Sequence, residues 1–316
     1  NNNDGDFGET GDQDIIKCGS VTMNSSGNAS ITLGFEPSWV LLKRTDSASQ
    51  WAILDTMRGW AFSGTAYLQP NNSNAEGNYG STDVGEPTAT GFEMKSWGAN
   101  ASYIYIAIRR GPMKTPTSGT DVFYYATQDN SSPGHEAPVA NWPVDFAIKT
   151  KTSGADNRTV ATRLLGEGYL LSNATDAFVS NGDITFDYQN GFFESTATYS
   201  DRFAWMFRRA PGFFDVVAYT TTTGNFTVPH NLNVAPELMI LKSRSNAFGW
   251  YVYHASRGPT KTLQLHDSGA ELNYGGYWQS TSPDADNLYL SGQGGAYTYI
   301  AYLFATVAGV SKVGSY

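Results

Sequence analysis

The chain has 316 residues, with Lys+Arg 20 against Asp+Glu 29, a net charge of −9, 16% charged and 14% aromatic residues. Such an aromatic-rich, charge-poor composition excludes a disordered polypeptide, and the acidic balance argues against a nucleic-acid partner, which calls for clustered Lys and Arg. One cysteine excludes a disulfide framework and a Cys-based zinc site, and no apolar run approaches the ~18 residues of a membrane-spanning helix.

Residues 1–13 are Asn-, Gly- and acid-rich and are expected as a flexible lead-in. From residue 14 a pattern opens that recurs three times. Each copy has a Pro six residues before a Lys with an apolar run between: Pro37 to Lys43, Pro143 to Lys149, and Pro236 to Lys242. Eight residues past the Lys, Trp51 and Trp250 open alternating runs, and Arg58-Gly59 and Arg257-Gly258 follow; the second copy has drifted to Arg158 at this place. Each copy closes on an aromatic run, Tyr103–Arg110, Phe203–Arg209 and Tyr299–Phe304, and opens on a short strand beginning near Ile16, Val122 and Val216. Runs of four to eight Val, Ile, Tyr, Phe and Trp residues alternate with Gly, Asn, Ser and Pro clusters, the pattern of antiparallel strands joined by turns.

The expected fold is therefore all-β, with three tandem antiparallel β-sandwich (jelly-roll-like) domains of about 100 residues each. The expected order is 14–112, a linker at 113–120, then 121–211 and 212–309, with 310–316 as the opening strand of a further repeat. On that reading the polypeptide continues, or lends this strand to a neighbouring domain. The short Pro-containing links suggest a semi-rigid rod.

Chemistry is sparse. His135, His230, His254 and His266 share no ligand spacing, and His254 stands where the other copies have Asp55 and Thr162. Carboxylates are scattered over turns, and no nucleophile elbow, phosphate loop or calcium loop is present. A non-enzyme without cofactor or metal is expected. Arg109-Arg110 and Arg208-Arg209 fit an anion contact or, preferably, caps that pair with an adjacent domain. Trp51 and Trp250 could stack on sugars, but as parts of alternating strands they read as core anchors. Trp39, Ile106, Trp205, Leu241 and Leu303 are expected to join them in the core, and Trp51→Ala to cost about 3–5 kcal/mol. Trp60, Trp97 and Trp278 lie in Gly-rich loops and read as surface candidates. Recognition is assigned to the loops Asn71–Gly85, Asn173–Asp183 and Leu272–Asp284, with Tyr79, Tyr274, Tyr277 and Trp278 as stacking faces.

Tyr103–Pro116, Phe203–Val217, Gly309–Tyr316 and, most closely, Val228–Leu232 followed by Pro236–Lys242 resemble tandem repeat domains of tailed-bacteriophage tail-fibre and virion structural proteins, of the marine and environmental phage type. The resemblance spans residue 14 to the end and implies a structural or adhesive virion component that supplies no catalytic residues. Its expected partners are copies of itself (a trimer if a fibre), other virion proteins and a host cell-surface glycan, without membrane insertion. The alternative is a secreted or surface lectin-like protein.

Overall fold

A computed structural model describes residues 15–111, 114–128, 140–180, 184–186, 188–194, 202–292 and 294–315. The lead-in 1–13 and His135 lie outside the described residues. The protein is all-β: among the described residues helix is confined to three-residue 3-10 turns, and every strand pairing is antiparallel. Three β-sandwiches follow one another.

In repeat 1 the main sheet runs in the order Ile16–Thr22, Ser102–Arg109, Pro37–Arg44, Trp51–Asp55. The opening strand thus lies beside the closing strand, which lies beside the strand carrying the Pro-to-Lys motif. A smaller sheet of Ala29–Thr32, Gly91–Met94 and Pro87–Thr88 faces it. First strand beside last, and second beside next to last, is the wrapping of a jelly roll. Repeat 3 repeats it with Phe214–Thr220, Thr298–Phe304, Leu238–Ser243 and Trp250–His254 in the main sheet, and Asn225–Pro229 beside Asn287–Ser291 in the other. Repeat 2 has Phe123–Gln128, Arg202–Phe207, Phe146–Lys151 and Thr159–Thr162 in that order. The Arg-Gly signature marks a turn: Asp55 caps Thr56–Arg58 by accepting from the Arg58 amide at 2.9 Å, and Gly59 ends the turn at φ 87°, where a side chain would be strained.

Each sandwich has its own core. Val40, Leu42, Leu54, Phe92 and Ala107 lead in repeat 1, Ala147, Ala161, Phe192, Ala204 and Met206 in repeat 2, and Met239, Leu241, Tyr253, Leu288 and Leu303 in repeat 3. In repeat 2 the motif is out of step by one residue. Asn173 accepts from the Arg158 amide as Asn71 accepts from that of Trp51, so Arg158 does stand in the Trp position, yet Lys149 pairs with Thr159 and Ala204. A one-residue slip reverses the face. Lys149 therefore points with Ala147 into the core, where it pairs with the buried Glu194.

Several expected core residues are on the other side of their sheet. Leu241, Trp250 and Leu303 are buried, but Ile106 is 38% and Trp205 36% exposed, and Trp39 and Trp51 are half-buried. Alternate residues of a strand face opposite ways, and Ala107 and Leu42 take the core-facing places beside them. Conversely, Trp60 and Trp278 are fully buried. Their indole N–H groups donate to Gly85 O (3.0 Å) and to Lys261 O and Thr262 Oγ1 (3.0 and 2.9 Å), so these loop tryptophans plug the sandwiches. Residues 311–315 form no strand: each main sheet already holds its own opening strand, and the tail folds back through Ser311 Oγ to Ala305 O (2.8 Å) and the Val313 amide to Thr306 Oγ1 (3.0 Å).

The chain divides into two compact units, one holding repeat 1 with Arg163–Gly166, the other repeats 2 and 3. Repeats 2 and 3 are thus not beads on a rod but are packed together. Phe146 meets Phe214 and Tyr302 at ring separations of 5.2 and 4.9 Å, and Phe207 meets Phe304 at 6.1 Å. Trp250 Nε1–H donates to Leu171 O (2.8 Å) and Ala174 O (3.1 Å), and the Phe178 amide to Arg244 O (2.9 Å). Lys242 Nζ donates to Thr175 O (3.0 Å) as well as Ser243 O (3.0 Å) and Phe248 O (2.8 Å), while burial pushes its ammonium down to about 8. Arg209, from the paired arginines, is buried against Asp215 with Nε and Nη2 each 2.7 Å from Oδ1, and its amide donates to Asp145 Oδ2 at 2.7 Å.

Candidate functional site

The described residues of the expected recognition loop Asn173–Asp183 lie largely in this packing: Ala174, Thr175 and Phe178 bond repeat 3, so the loop is structural, and 181–183 lie outside the described residues. In Leu272–Asp284, Trp278 is core, Tyr277 stacks on Tyr251 with ring centroids 3.8 Å apart, and Tyr274 stands 48% exposed against the edge of Tyr277. Burial and a hydrogen bond to Tyr251 push the Tyr277 phenol well above its ordinary value. Of that loop's rings Tyr274 is the exposed one.

Repeat 1 has a groove. It has a volume of about 380 Å³ and is lined by the aromatic Trp51, Tyr79, Trp97 and Tyr103, the polar Ser49, Gln50, Gln69 and Ser96, and Leu42, Ala52 and Gly98. The volume is that of small-ligand clefts, ~300–1,000 Å³. Trp97 is set by backbone: Ser96 at φ 62° and Gly98 at φ 100° bracket it, its amide donates to Gly27 O at 3.0 Å, and its indole N–H donates to Val84 O at 2.8 Å. A serine held in the left-handed region costs of order 1 kcal/mol and persists where surroundings enforce it. Tyr103 donates its hydroxyl to Trp97 O at 2.8 Å and meets the Trp97 ring edge-on at 5.6 Å. Tyr79 lies between Tyr67 (4.4 Å) and Trp97 (6.0 Å), and burial pushes its phenol up to about 12.

The polar part of the lining is uncharged. Asn71 Oδ1 accepts from the Trp51 amide at 3.0 Å while its Nδ2 donates to Gln50 Oε1, and Asn72 Nδ2 donates to Gln69 Oε1 at 2.6 Å. Both glutamine carbonyls are thereby fixed, and among the described residues neither amide nitrogen has a partner. No lining residue carries a charge. The site therefore combines π-faces, amide donors and hydroxyls with no charged acid or base in its lining.

The groove exists because Ala52 is small. Ala52 pairs with Leu42, and in repeat 3 the residue that pairs with the matching Leu241 is Tyr251, whose ring is capped by Tyr277. The same place on the sheet is open in one copy and filled in the other. Of the residues expected from sequence, Tyr79 and Trp97 meet here, Tyr274 and Tyr277 sit in repeat 3, and Trp278 is withdrawn as a stacking face. Gln50, Gln69 and Tyr103 went unrecognised, the first two for want of any local signal and Tyr103 because it opens a framework strand.

Tandem jelly-roll-like sandwiches, one with an aromatic groove, define a class of all-β repeat proteins. Within it, this chain belongs to the family described as Domain of unknown function (DUF7483), which matches residues 13–112 and 208–316. The two matched segments are repeats 1 and 3; the intervening repeat is the one whose motif is out of step. No curated protein matches the chain.

Proposed function

We propose that the protein is a non-enzymatic adhesive component of a phage virion, a tail fibre or similar appendage, and that the groove of repeat 1 takes an uncharged saccharide of the host surface. The observation that carries the saccharide reading is that Trp97 and Tyr79 line one cleft together with the amides of Gln50 and Gln69. Sugar rings offer C–H faces that pack on aromatic rings and equatorial hydroxyls that bond amides. The virion reading rests on the resemblance of the closing strands and of Val228–Lys242 to phage repeat domains. A secreted or surface lectin-like protein would use the same groove and differs only in where it resides.

Purified protein applied to an array of bacterial surface glycans is expected to retain a neutral saccharide, with Trp97→Ala reducing retention at least tenfold. An array that stays blank, or binding indifferent to Trp97→Ala, overturns the saccharide reading. Antibody labelling of particles in electron micrographs tests the virion reading separately: label on the particle supports it, and label confined to the producing cell's surface or medium favours the lectin-like alternative.

A further inference from the structure

The main sheet of repeat 1 has a second apolar face. Between the core-facing Tyr103, Tyr105 and Ala107 the closing strand turns Ile104, Ile106 and Ile108 outward; their partners on the next strand are Lys43, Leu41 and Trp39, with Ile53 beyond Leu41. Ile104 is 43% and Ile106 38% exposed. The matching residues of repeat 3, by position on the same strands, are Ile300 and Tyr302; they are 0% and 1% exposed, and Phe146 of repeat 2 lies against the Tyr302 ring at 4.9 Å. A face built like a covered one stands open. Contiguous exposed apolar patches of this kind mark interaction sites.

The hydrogen-bond donors on this face tell the same story. Lys43 Nζ donates to Ser49 O, the counterpart of Lys242 to Phe248 O, but the contact that Lys242 makes across to Thr175 O in repeat 2 has no equivalent among the described residues. Trp250 Nε1–H is satisfied by Leu171 O and Ala174 O of repeat 2; Trp51 Nε1–H, at the same strand position, has no acceptor among the described residues. Repeat 1 nonetheless owns the turn that would fill both. Asn71 clasps the Trp51 amide as Asn173 clasps that of Arg158, so turn 69–73 stands in repeat 1 where 171–175 stands in repeat 2.

We propose that this face binds repeat 1 of a second copy of the chain, forming a two-fold dimer. Within each chain the 171–175 turn of repeat 2 fills the donors on the face of repeat 3, and repeat 2 keeps Trp205 and Tyr125 exposed on its own sheet. Repeat 1 is the copy that has both an open face with the Trp51 indole and the turn that would fill it. A surface that carries both halves of a contact is self-complementary, and two-fold pairing satisfies both copies at once.

The test is the mass of the full chain in solution, by sedimentation equilibrium. The parent is expected at twice its 34.3 kDa, and Ile104→Glu/Ile106→Glu at the single-chain mass. Cys18, exposed and paired in register with Ile106, gives an independent readout: its reaction with a bulky thiol reagent is expected to be at least tenfold slower in the parent than in the double variant. Ile104→Lys, at an exposed position where the core is untouched, supplies the same comparison if the double variant fails to fold, and Tyr274→Ser is expected to leave the dimer intact. A single-chain parent, a three-chain mass, or a dimer unaffected by the Ile104 and Ile106 changes overturns the proposal.

Discussion

Trp51 and Trp250 occupy the same strand position in two copies of one fold, so truncating each measures what surroundings alone contribute. Trp250 is 1% exposed, lies 6.1 Å from the Tyr302 ring at 18°, and donates to two carbonyls of repeat 2. Removing a buried indole costs about 3–5 kcal/mol in transfer and cavity terms, and the two carbonyls left without their donor add about 1–2 kcal/mol. Trp250→Ala should therefore destabilise the unit of repeats 2 and 3 by about 4–7 kcal/mol, a large share of the ~5–15 kcal/mol typical of a domain. Trp51 is half-buried and its indole N–H has no acceptor among the described residues, so Trp51→Ala in the dilute single chain should cost repeat 1 only about 1–2 kcal/mol, less than its sequence suggests. Urea titrations followed by circular dichroism, in which the two compact units are expected to give separate transitions, read the two costs. Trp250→Phe, which keeps the ring contact and loses the donor, should fall between. Equal costs for Trp51→Ala and Trp250→Ala would refute the assignment of Trp250 to the packing between repeats.

Ala52→Tyr should fill the groove of repeat 1 as Tyr251 fills its place in repeat 3, abolishing saccharide retention on the array while the repeat 1 transition stays within about 1 kcal/mol of the parent. Asp215→Ala strands the buried Arg209 guanidinium and should cost about 3–5 kcal/mol, read in the same urea titration of repeats 2 and 3. Burial holds the His230 imidazole below its ordinary 6.5, with Nε2 bonded to Asp284 O and Nδ1 accepting from the Leu232 amide. The unfolded chain then binds more protons below pH about 6.5, so stability is fully present above that value and falls as the pH drops through it. Thermal melts between pH 7.5 and 5, at values set by about that ionisation, should show this slope in the parent and a flatter one in His230→Asn.

The repeat and its strands were legible because their markers are local: a Pro that opens a strand, the Lys and Trp of a hairpin pair, and an Arg-Gly turn ending in a left-handed glycine. Which face of a strand is core was not. Ile104, Ile106 and Ile108 are as apolar as Tyr103, Tyr105 and Ala107, so alternation carries no contrast, and only the packed partner sheet distinguishes them. Repeat 2 shows the same limit from the other side, since Lys149 keeps the motif spacing while its side chain has crossed to the core. Trp60 and Trp278 misled because Gly-rich loops ordinarily lie outside, whereas here the loops close the open ends of sandwiches and carry an indole inward. Of the groove, Tyr79 and Trp97 announced themselves as loop aromatics. Its opening did not, because it is made by the smallness of Ala52, which shows only when that position is set against Tyr251.

The groove of repeat 1 is proposed to bind a saccharide at Trp97, Gln50 and Gln69. Isothermal titration of the full chain with the saccharide retained best on the array tests it most directly. One site per chain is expected, weakened at least tenfold by Trp97→Ala and unchanged by Tyr277→Ala. Binding that survives Trp97→Ala and is lost with Tyr277→Ala would move recognition to repeat 3 and contradict the account.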